Sequence, residues 1–152
     1  MRNNDILNFI APCLNGELSE ALSGGEILCI TFDDGALSLS ASVKFDRLIA
    51  DRLILDAQKA VREYFGIRKV TLSPVYTGLE LSQDCAPMLI RAVKENIAAA
   101  NGFLDSAKFG FADGSVSLTV PDGAQLLIDA KTPEFLERFI SETFDKRVKV
   151  CI

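Results

Sequence analysis

The sequence predicts an α+β protein built from two tandem αββαβ modules, residues 1–78 and 79–152, each a three-stranded sheet with helices on one face. Three observations carry this prediction. Two hairpin-like stretches, FDDGALSLSA at 32–41 and FADGSVSLTV at 111–120, are offset by 79 residues. An amphipathic helical segment follows each hairpin, and a short β-rich segment follows each helix, at the same offset. One offset therefore aligns the elements of both halves without a gap.

Both hairpins are predicted to turn at an Asp-Gly pair, because Gly accepts positive φ without steric cost. The pairs are Asp34-Gly35 and Asp113-Gly114. Apolar residues alternate with small polar ones after each turn, which is typical of a half-buried strand. The residues expected on the buried faces are Leu37, Leu39 and Ala41 in the first copy and Val116, Leu118 and Val120 in the second.

The segments at 53–66 and 132–145 have apolar residues at helical spacing. The offset aligns Phe65 with Phe144, and we expect both rings to be buried at the ends of equivalent helices. Both helices lead into predicted strands that begin after basic residues, RKVTLS in the first copy and RVKVCI in the second. Each half therefore continues as helix and strand after its hairpin.

The helix ends carry recognisable signals. Thr132 is predicted as an N-cap with Pro133 in the first helical position, and Gly66 is predicted to end the earlier helix in the left-handed conformation. Upstream of the second hairpin, residues 82–100 are predicted to form a helix capped by Ser82 or Asp84, with Pro87 confined to its first turn. The corresponding N-terminal helix is expected to break or restart at Pro12.

The composition indicates an acidic globular protein of 152 residues, with 49% apolar residues and a formal net charge of −5. No apolar run approaches the roughly 20 residues that span a bilayer. The N-terminus lacks the apolar region of a signal peptide. The four cysteines, at 13, 29, 85 and 151, show no metal-binding spacing. We therefore expect buried free thiols, no membrane partner and a cytoplasmic location.

Catalytic signatures are missing from the sequence. It contains no His, which excludes Ser-His-Asp and Cys-His catalysis, and it has no Walker or GxGxxG motif. A carboxylate cluster for a hard cation is conceivable in one region, but turn and helix-start roles are favoured there. The residues concerned are Asp33, Asp34, Asp46 and Asp51. No catalytic, cofactor-binding or metal-binding residue is predicted.

The last helix carries three glutamates that are predicted to form its solvated face. Arg138 and Lys146 are placed to pair with them at helical spacing. The glutamates are Glu134, Glu137 and Glu142.

The αββαβ order is also typical of KH-type RNA-binding folds, which grip nucleotides with a GxxG loop. No GxxG occurs here, since Gly110 and Gly114 are one residue too far apart. Residues 1–80 carry 8 basic and 11 acidic side chains, and residues 81–152 carry 8 and 10. Phosphate neutralisation by Lys and Arg dominates nucleic-acid affinity. We therefore expect weak or no binding of nucleic acid, although a KH-like nucleic-acid-binding module remains the alternative.

Two long stretches resemble a known family. They are ITFDDGALSLSASVKFDRLIADRLILDAQKAVREYFGIRKVTLSP, residues 30–74, and VKENIAAANGFLDSAKFGFADGSVSLTVPDGAQLLIDAKTPEFLERFISETF, residues 93–144. Together they are similar to the N-terminal region of PolC, the replicative DNA polymerase III α subunit of low-GC Gram-positive bacteria. The first module resembles the α-binding C-terminal domain of the clamp-loader tau subunit. The second resembles a KH-like module and domain I of the initiator DnaA.

The resemblance implies a role in DNA replication without catalysis by this chain. In the PolC family the OB-fold, exonuclease, PHP and polymerase domains follow this region, so the chain would be a fragment of a larger polymerase. It would contact replisome proteins, including the clamp-loader tau subunit, and would need no cofactor. A DnaA-like or tau-like replication interaction domain is a further alternative, and an enzyme that uses carboxylates is the third.

Overall fold

A computed structural model of the chain describes residues 5–98 and 102–152. The described chain divides into two compact units between Leu79 and Glu80, whereas the sequence places the boundary one residue earlier. Each unit contains a three-stranded sheet. The α+β class that the sequence predicts is confirmed at this level, with two separate three-stranded sheets.

The first unit begins with two short helices and continues through a hairpin, a long helix and a final strand. Its elements are α1 (Leu7–Ile10), a 3₁₀ turn (Ala11–Cys13), α2 (Gly16–Leu22), β1 (Glu26–Asp33), β2 (Ser38–Lys44), α3 (Asp51–Phe65) and β3 (Lys69–Val75). The second unit has a comparable order, but a short helix lies between its hairpin and its last helix. Its described elements are a 3₁₀ turn (Gln83–Cys85), α4 (Ala86–Asn96), β4 (Lys108–Ala112), β5 (Ser115–Thr119), α5 (Ala124–Asp129), α6 (Thr132–Phe144) and β6 (Lys149–Cys151).

The two sheets have the same topology. In the first, β2 lies in the middle, antiparallel to β1 and parallel to β3. In the second, β5 lies in the middle, antiparallel to β4 and parallel to β6. A parallel pair needs a crossover connection, and α3 and α6 supply it.

The turns of the two hairpins differ in length. Asp33 lies opposite Ser38, which leaves a four-residue turn, whereas Ala112 lies opposite Ser115, which leaves only the predicted Asp-Gly pair. Gly114 has a φ of 71°, so positive φ is confirmed there. The prediction of a positive φ is wrong for Gly35, because the Asp33 carboxylate accepts a hydrogen bond from Ala36 N at 3.1 Å and widens the turn.

The wider turn changes the residues that lie on the buried face of β2. Leu37 takes the left-handed conformation, with a φ of 50°, and is exposed in the turn. The prediction that it lies on the strand's apolar face is therefore wrong. Leu39 and Ala41 do lie on that face, and Val43 continues it. In β5, Val116 and Leu118 are buried as predicted, while Val120 lies beyond the end of the strand.

The upstream helices follow the proline signals. The N-terminal helix breaks at Pro12, as predicted, and restarts as α2. Pro87 lies in the first turn of α4, which is also confirmed. Neither Ser82 nor Asp84 caps α4 with its side chain, because a 3₁₀ turn precedes the helix and Cys85 N donates to Ser82 O at 2.9 Å. α4 ends at Asn96 because Ile97 takes an extended conformation, so the predicted helix is too long there; residues 99 and 100 lie outside the described part.

The prediction for the end of α3 is confirmed and the one for the start of α6 is wrong. Gly66 has a φ of 66°, and Asp145 takes the same conformation one offset later. At the start of α6, Lys131 is the left-handed N-cap residue and Thr132 is the first residue of the helix. Only Ala130 and Lys131 separate α5 from α6, so the chain reverses at Lys131. Within the described structure, Thr132 Oγ1 is buried without a hydrogen-bond partner.

The cores lie between each sheet and its helices. In the first unit, apolar side chains from β2, β3 and α3 are buried together with Leu18 and Leu22 of α2. In the second, Val116 and Leu118 of β5 are buried with apolar residues of α4 and α6. Residues on the other face of each middle strand are mainly serines, namely Ser38, Ser40 and Ser42 in β2 and Ser115 and Ser117 in β5.

The four cysteines are free thiols, but they are not uniformly buried. Cys85 is buried and Cys13 is half-buried, and burial raises the pKa of both thiols above the usual value. Cys29 and Cys151 are exposed, so the prediction of buried thiols is wrong for them. Both lie on the serine-bearing face of a sheet, Cys29 opposite Ser42 and Cys151 opposite Ser117. Helices cover only the other face.

Candidate functional site

The edges of the two sheets differ in how their backbone groups are satisfied. A three-stranded sheet has two edge strands, and an open edge presents unpaired N–H and C=O groups that can pair with another chain. Here the edges are β1 and β3 in the first unit and β4 and β6 in the second. Each of these strands can be tested for a partner on its outer side.

On the outer side of β3, a side chain of α3 binds one backbone group. Leu72 N donates to the Gln58 side-chain oxygen of α3 at 2.8 Å. Pro74, two residues later, has no backbone N–H to offer. A strand adding to β3 would therefore have to displace Gln58 and would find no donor at Pro74.

Both edges of the second sheet also have side-chain partners. Val150 N in β6 donates to the Glu137 carboxylate of α6 at 3.0 Å, and Glu137 follows Gln58 by the repeat offset of 79. On the other edge, Gln83 Nε2 donates to the carbonyl oxygen of Phe109 in β4. Side chains from within the second unit therefore engage both of its edge strands.

This role of Glu137 corrects the expectation for the last helix. Glu137 is half-buried against β6 and lies 3.7 Å from Lys149 Nζ, whereas Glu134 and Glu142 are exposed as predicted. The two basic residues also differ from the prediction. Lys146 pairs with Glu80 at 3.5 Å, and the Arg138 guanidinium lies over the Phe135 ring at 5.7 Å. Lys146 therefore takes a partner distant in sequence, whereas Arg138 stacks on a ring three residues earlier in the same helix.

In residues 5–98 and 102–152, β1 has a partner on its outer side only at its beginning. Asp5 forms an isolated antiparallel bridge with Glu26, and Ile6 N donates to Gly25 O at 2.9 Å. From Leu28 to Asp33, no backbone group outside β2 pairs with the strand within the described residues. Six residues at about 3.4 Å each leave an open edge of roughly 20 Å.

A β-bulge decides which side chains of β1 face the helices. The pairing register shifts between Ile27 and Cys29, so Leu28 is the extra residue. After the bulge, Ile30 lies opposite Ala41 and Phe32 lies opposite Leu39, on the same face as the core. Yet Ile30 is 42% exposed and Phe32 is 49% exposed. The apolar face of β1 therefore continues past the covered core into solvent.

An apolar groove of about 210 Å³ lies on this face beside β1. α1 contributes Phe9 and Ile10, α3 contributes Val61 and Phe65, and β1 contributes Ile30. The remaining lining residues, Ile6, Ile27, Leu39, Ala41 and Leu72, are also apolar. Phe9 is itself about half exposed. The groove and the open edge thus form one continuous surface, which we call the β1 surface: strand residues Leu28–Asp33 and the groove walls Phe9, Val61 and Phe65.

Phe65 corrects the expectation that both aligned rings are buried. Phe144 is 1% exposed, as predicted, but Phe65 is 52% exposed and forms a wall of the groove. The reason lies in the helix that packs beside each ring's helix. α1 has four residues before the chain breaks at Pro12, whereas its counterpart α4 has eleven and packs on α6. The shorter α1 leaves the end of α3 uncovered.

The two ends of β1 differ in charge, because Lys44 lies opposite Glu26 at the start of the strand and the hairpin end carries carboxylates. The sequence from Glu26 to Leu37 contains three acidic residues and no Lys or Arg. Asp33 and Asp34 are exposed at the hairpin turn. The backbone N–H groups of Arg68 and Lys69 donate to Leu37 O, but these two basic residues lie at the start of β3, on the other side of the sheet from β1. The exposed end of β1 is therefore acidic.

The predicted carboxylate residues have separate surroundings. Asp33 stabilises the hairpin turn, Asp46 pairs with Arg47 at 3.4 Å, and Asp51 lies in the first turn of α3. No group of three or more His, Cys, Asp and Glu in residues 5–98 and 102–152 is arranged to hold a metal ion. The turn role is thus confirmed for Asp33.

A polar cleft of about 450 Å³ lies beside the hairpin turn of the second unit. Its charged lining residues are Glu80, Asp113, Lys146 and Arg147, two acidic and two basic. The ion pair between Lys146 and Glu80 engages one of the two cations. This balance gives the cleft no excess of positive charge for a phosphate backbone.

None of the helices in the described part of the chain has the length and apolarity to cross a membrane. The sequence matches no protein-family model, and a search of curated proteins found no significant match.

Proposed function

We propose that this chain is a non-catalytic protein-interaction region that acts in DNA replication, as the N-terminal region of a PolC-type polymerase. The observation that carries the interaction role is the edge of β1 from Leu28 to Asp33, which adjoins an apolar groove and has no outer partner among the described residues, whereas each of the other three edges accepts or donates one side-chain hydrogen bond. Proteins commonly block exposed edges, so an edge left open beside exposed apolar side chains favours a docking role.

The placement in replication comes from the resemblance to PolC, and it names the partners to test. They are replisome proteins, first among them the clamp-loader tau subunit. Strand addition is a recurrent mode of peptide recognition, in which main-chain hydrogen bonds supply affinity and side-chain pockets supply specificity. The β1 surface offers both features, because its edge is open and its groove adjoins that edge.

Two further properties belong to this proposal. The chain neither polymerises nor cleaves DNA, since the described carboxylates are dispersed in turns, helix starts and ion pairs rather than grouped for the Mg²⁺ ions that phosphoryl transfer uses. It also binds oligonucleotides only weakly, because its net charge is −5 and the cleft of the second unit has balanced charges.

The test is a pull-down with the full 152-residue chain as bait and purified replisome proteins, including tau, as prey. Ile30→Asn removes an apolar side chain from the groove, and Thr31→Asn is the matched control, because Thr31 is exposed on the serine-bearing face opposite Ser40. We expect capture by the parent chain and by Thr31→Asn, and at least tenfold less capture by Ile30→Asn.

Fluorescent single-stranded DNA and RNA, titrated in parallel at about 150 mM salt, test the KH-like alternative. Micromolar or tighter oligonucleotide binding, with no replisome protein captured, would overturn the proposal in favour of that alternative. Capture that Ile30→Asn and Thr31→Asn reduce equally would place the docking surface away from the groove.

A further inference from the structure

We propose that the β1 surface takes an extended peptide segment of the partner, with apolar residues at two alternate positions and Lys or Arg on the flank beside the hairpin turn. The segment adds to the sheet as a fourth strand beside β1. This inference rests on the proposed function, since it specifies the chemistry of the docked partner. The backbone, the groove and the charge of the surface each supply one part of that specification.

The backbone specifies an extended segment. The open edge from Leu28 to Asp33 presents main-chain groups along about six residues, and an added strand can satisfy them. A helix laid on this edge would leave those groups without strand partners. Regular pairing along β1 is interrupted by the bulge at Leu28, and before the bulge Asp5 covers the edge by its bridge to Glu26. The added strand therefore has room for a short segment only.

The groove specifies the apolar positions. Ile30 and Phe32 face the groove side of the sheet, and they are separated by one residue that faces away. Side chains directly opposite each other on paired strands lie about 4.5–5.5 Å apart and pack together. An added strand thus places residues i and i+2 beside Ile30 and Phe32. Because Ile30 lines the apolar groove and Phe32 is an exposed apolar side chain on the same face, these two positions require apolar side chains.

The charge specifies the flank beside the turn. Lys44 lies opposite Glu26 where the chain enters β1, whereas Asp33 and Asp34 are exposed carboxylates at the turn. No basic residue lies between Glu26 and Leu37. Lys or Arg beyond the apolar pair would meet opposite charge at the hairpin turn, whereas an acidic flank would meet like charge there.

The same charges disfavour a second copy of this chain as the occupant. A copy that paired in parallel with β1 would place Asp33 against Asp33, and like charges directly opposite are destabilising. A copy that paired antiparallel would bring no basic residue to any of the carboxylates, because its own stretch from Glu26 to Leu37 contains none. A partner with a basic flank satisfies both the groove and the charge.

The test measures binding of three fluorescein-labelled synthetic peptides to the full chain by anisotropy. The first has the sequence Lys-Lys-Val-Thr-Val-Lys-Lys, and the second has Glu in place of every Lys. In the third, one Pro replaces Thr and another Pro replaces the second Val. Consecutive N–H groups of a strand point to opposite sides, so the third peptide must lack one ladder donor. We expect at least tenfold weaker binding of the second and third peptides.

Variants of the chain locate the bound peptide. Ile30→Asn should weaken binding of the lysine peptide at least tenfold, and Thr31→Asn should leave it within twofold. Asp34→Asn should weaken it about threefold, while Asp113→Asn, which changes the corresponding turn residue of the second hairpin, should leave it within twofold. Sedimentation of the free chain should show no association that Ile30→Asn abolishes.

Three results would overturn the inference. They are equal binding of the lysine and glutamate peptides, equal binding of the proline peptide, and self-association of the chain that depends on Ile30. If replisome proteins are still captured and Ile30→Asn still reduces capture, the proposed function stands and only the peptide chemistry fails. If no protein is captured and the oligonucleotides bind, the proposed function itself fails.

Discussion

The two aligned phenylalanines allow a direct test of how the two units differ. Phe144, at the end of α6, is 1% exposed and belongs to the core of the second unit. Its replacement by Ala removes a fully buried ring and leaves a cavity. Such substitutions cost roughly 3–5 kcal/mol. For a unit of this size that loss is a large part of the total free energy of unfolding.

Phe65 occupies the aligned position in α3 but keeps 52% of its surface exposed. Full burial of a Phe side chain is worth about 1.5–3 kcal/mol, so a ring about half removed from water contributes roughly 1 kcal/mol. No cavity penalty is added, because the ring forms the wall of an open groove. Phe65→Ala should therefore cost several times less than Phe144→Ala, although the sequence aligns the two residues.

Urea unfolding of the full chain, followed by circular dichroism, measures both losses, and hydrogen exchange assigns each loss to a unit. Leu126→Ala, which truncates an exposed residue of α5, is the control for a surface substitution. Phe144→Ala should lower protection in the second unit. Equal losses for Phe65→Ala and Phe144→Ala, or a larger loss for Phe65→Ala, would show that the groove is closed in solution and would refute this reasoning.

Two further predictions concern a tight glycine and the thiols. Gly25→Ala should lower the free energy of unfolding by about 1–3 kcal/mol in urea titrations, because its Cβ would lie 2.6 Å from the Phe45 ring; Gly16→Ala, with open space around it, should lower it far less. In the native chain, alkylation should be fast at Cys29 and slow at Cys85, and modification of Cys85 as fast as that of Cys29 would contradict its burial. Burial raises the pKa of Cys85 in the folded state above the unfolded pKa of 9.0. The stability that the protonated thiol contributes is therefore complete below pH 9.0 and is lost as the pH rises further. Urea titrations between pH 8 and 10.5 would measure this loss.

The hairpins show how far local sequence determines a turn. The Asp-Gly pairs correctly predict where both hairpins reverse, because Asp and Gly favour turn conformations wherever they occur. They do not predict the turn length. At the first hairpin the Asp33 carboxylate binds Ala36 N and the turn takes four residues, whereas the second closes with two. Similar dipeptides thus yield different turns, since a side-chain hydrogen bond competes with the tighter geometry.

The candidate surface illustrates what the alignment of the two halves misses. The repeat predicts a buried Phe65, because Phe144 occupies the aligned position. Its exposure depends on the length of α1, which ends before Pro12, and on how α1 packs beside α3. The break at Pro12 was predicted, but the resulting gap was not, because helix spacing in sequence carries no information on what lies across a groove.

The bulge at Leu28 is a second feature that the sequence pattern conceals. Regular alternation along ILCITF would place Ile30 and Phe32 on the face of Leu28 and opposite to Ile27. The bulge puts Ile27, Ile30 and Phe32 on the same face instead. A signal was present in the run of apolar residues at 27 and 28, which no strict period-two pattern accommodates.

By itself, the sequence determined the α+β class, the order of most elements and the places where the chain turns or breaks. These depend on short-range properties: hydrophobic period, the conformations open to Gly and Pro, and helix-end preferences. Only the tertiary structure decided which edge strand is open and which apolar side chains stay exposed. Gln58, Glu137 and Gln83 each reach a strand at least 13 residues away in the chain, and no comparable contact reaches β1 from Leu28 to Asp33 within the described residues. An open edge results from which distant side chains fold back on a strand, and a local sequence pattern does not record that.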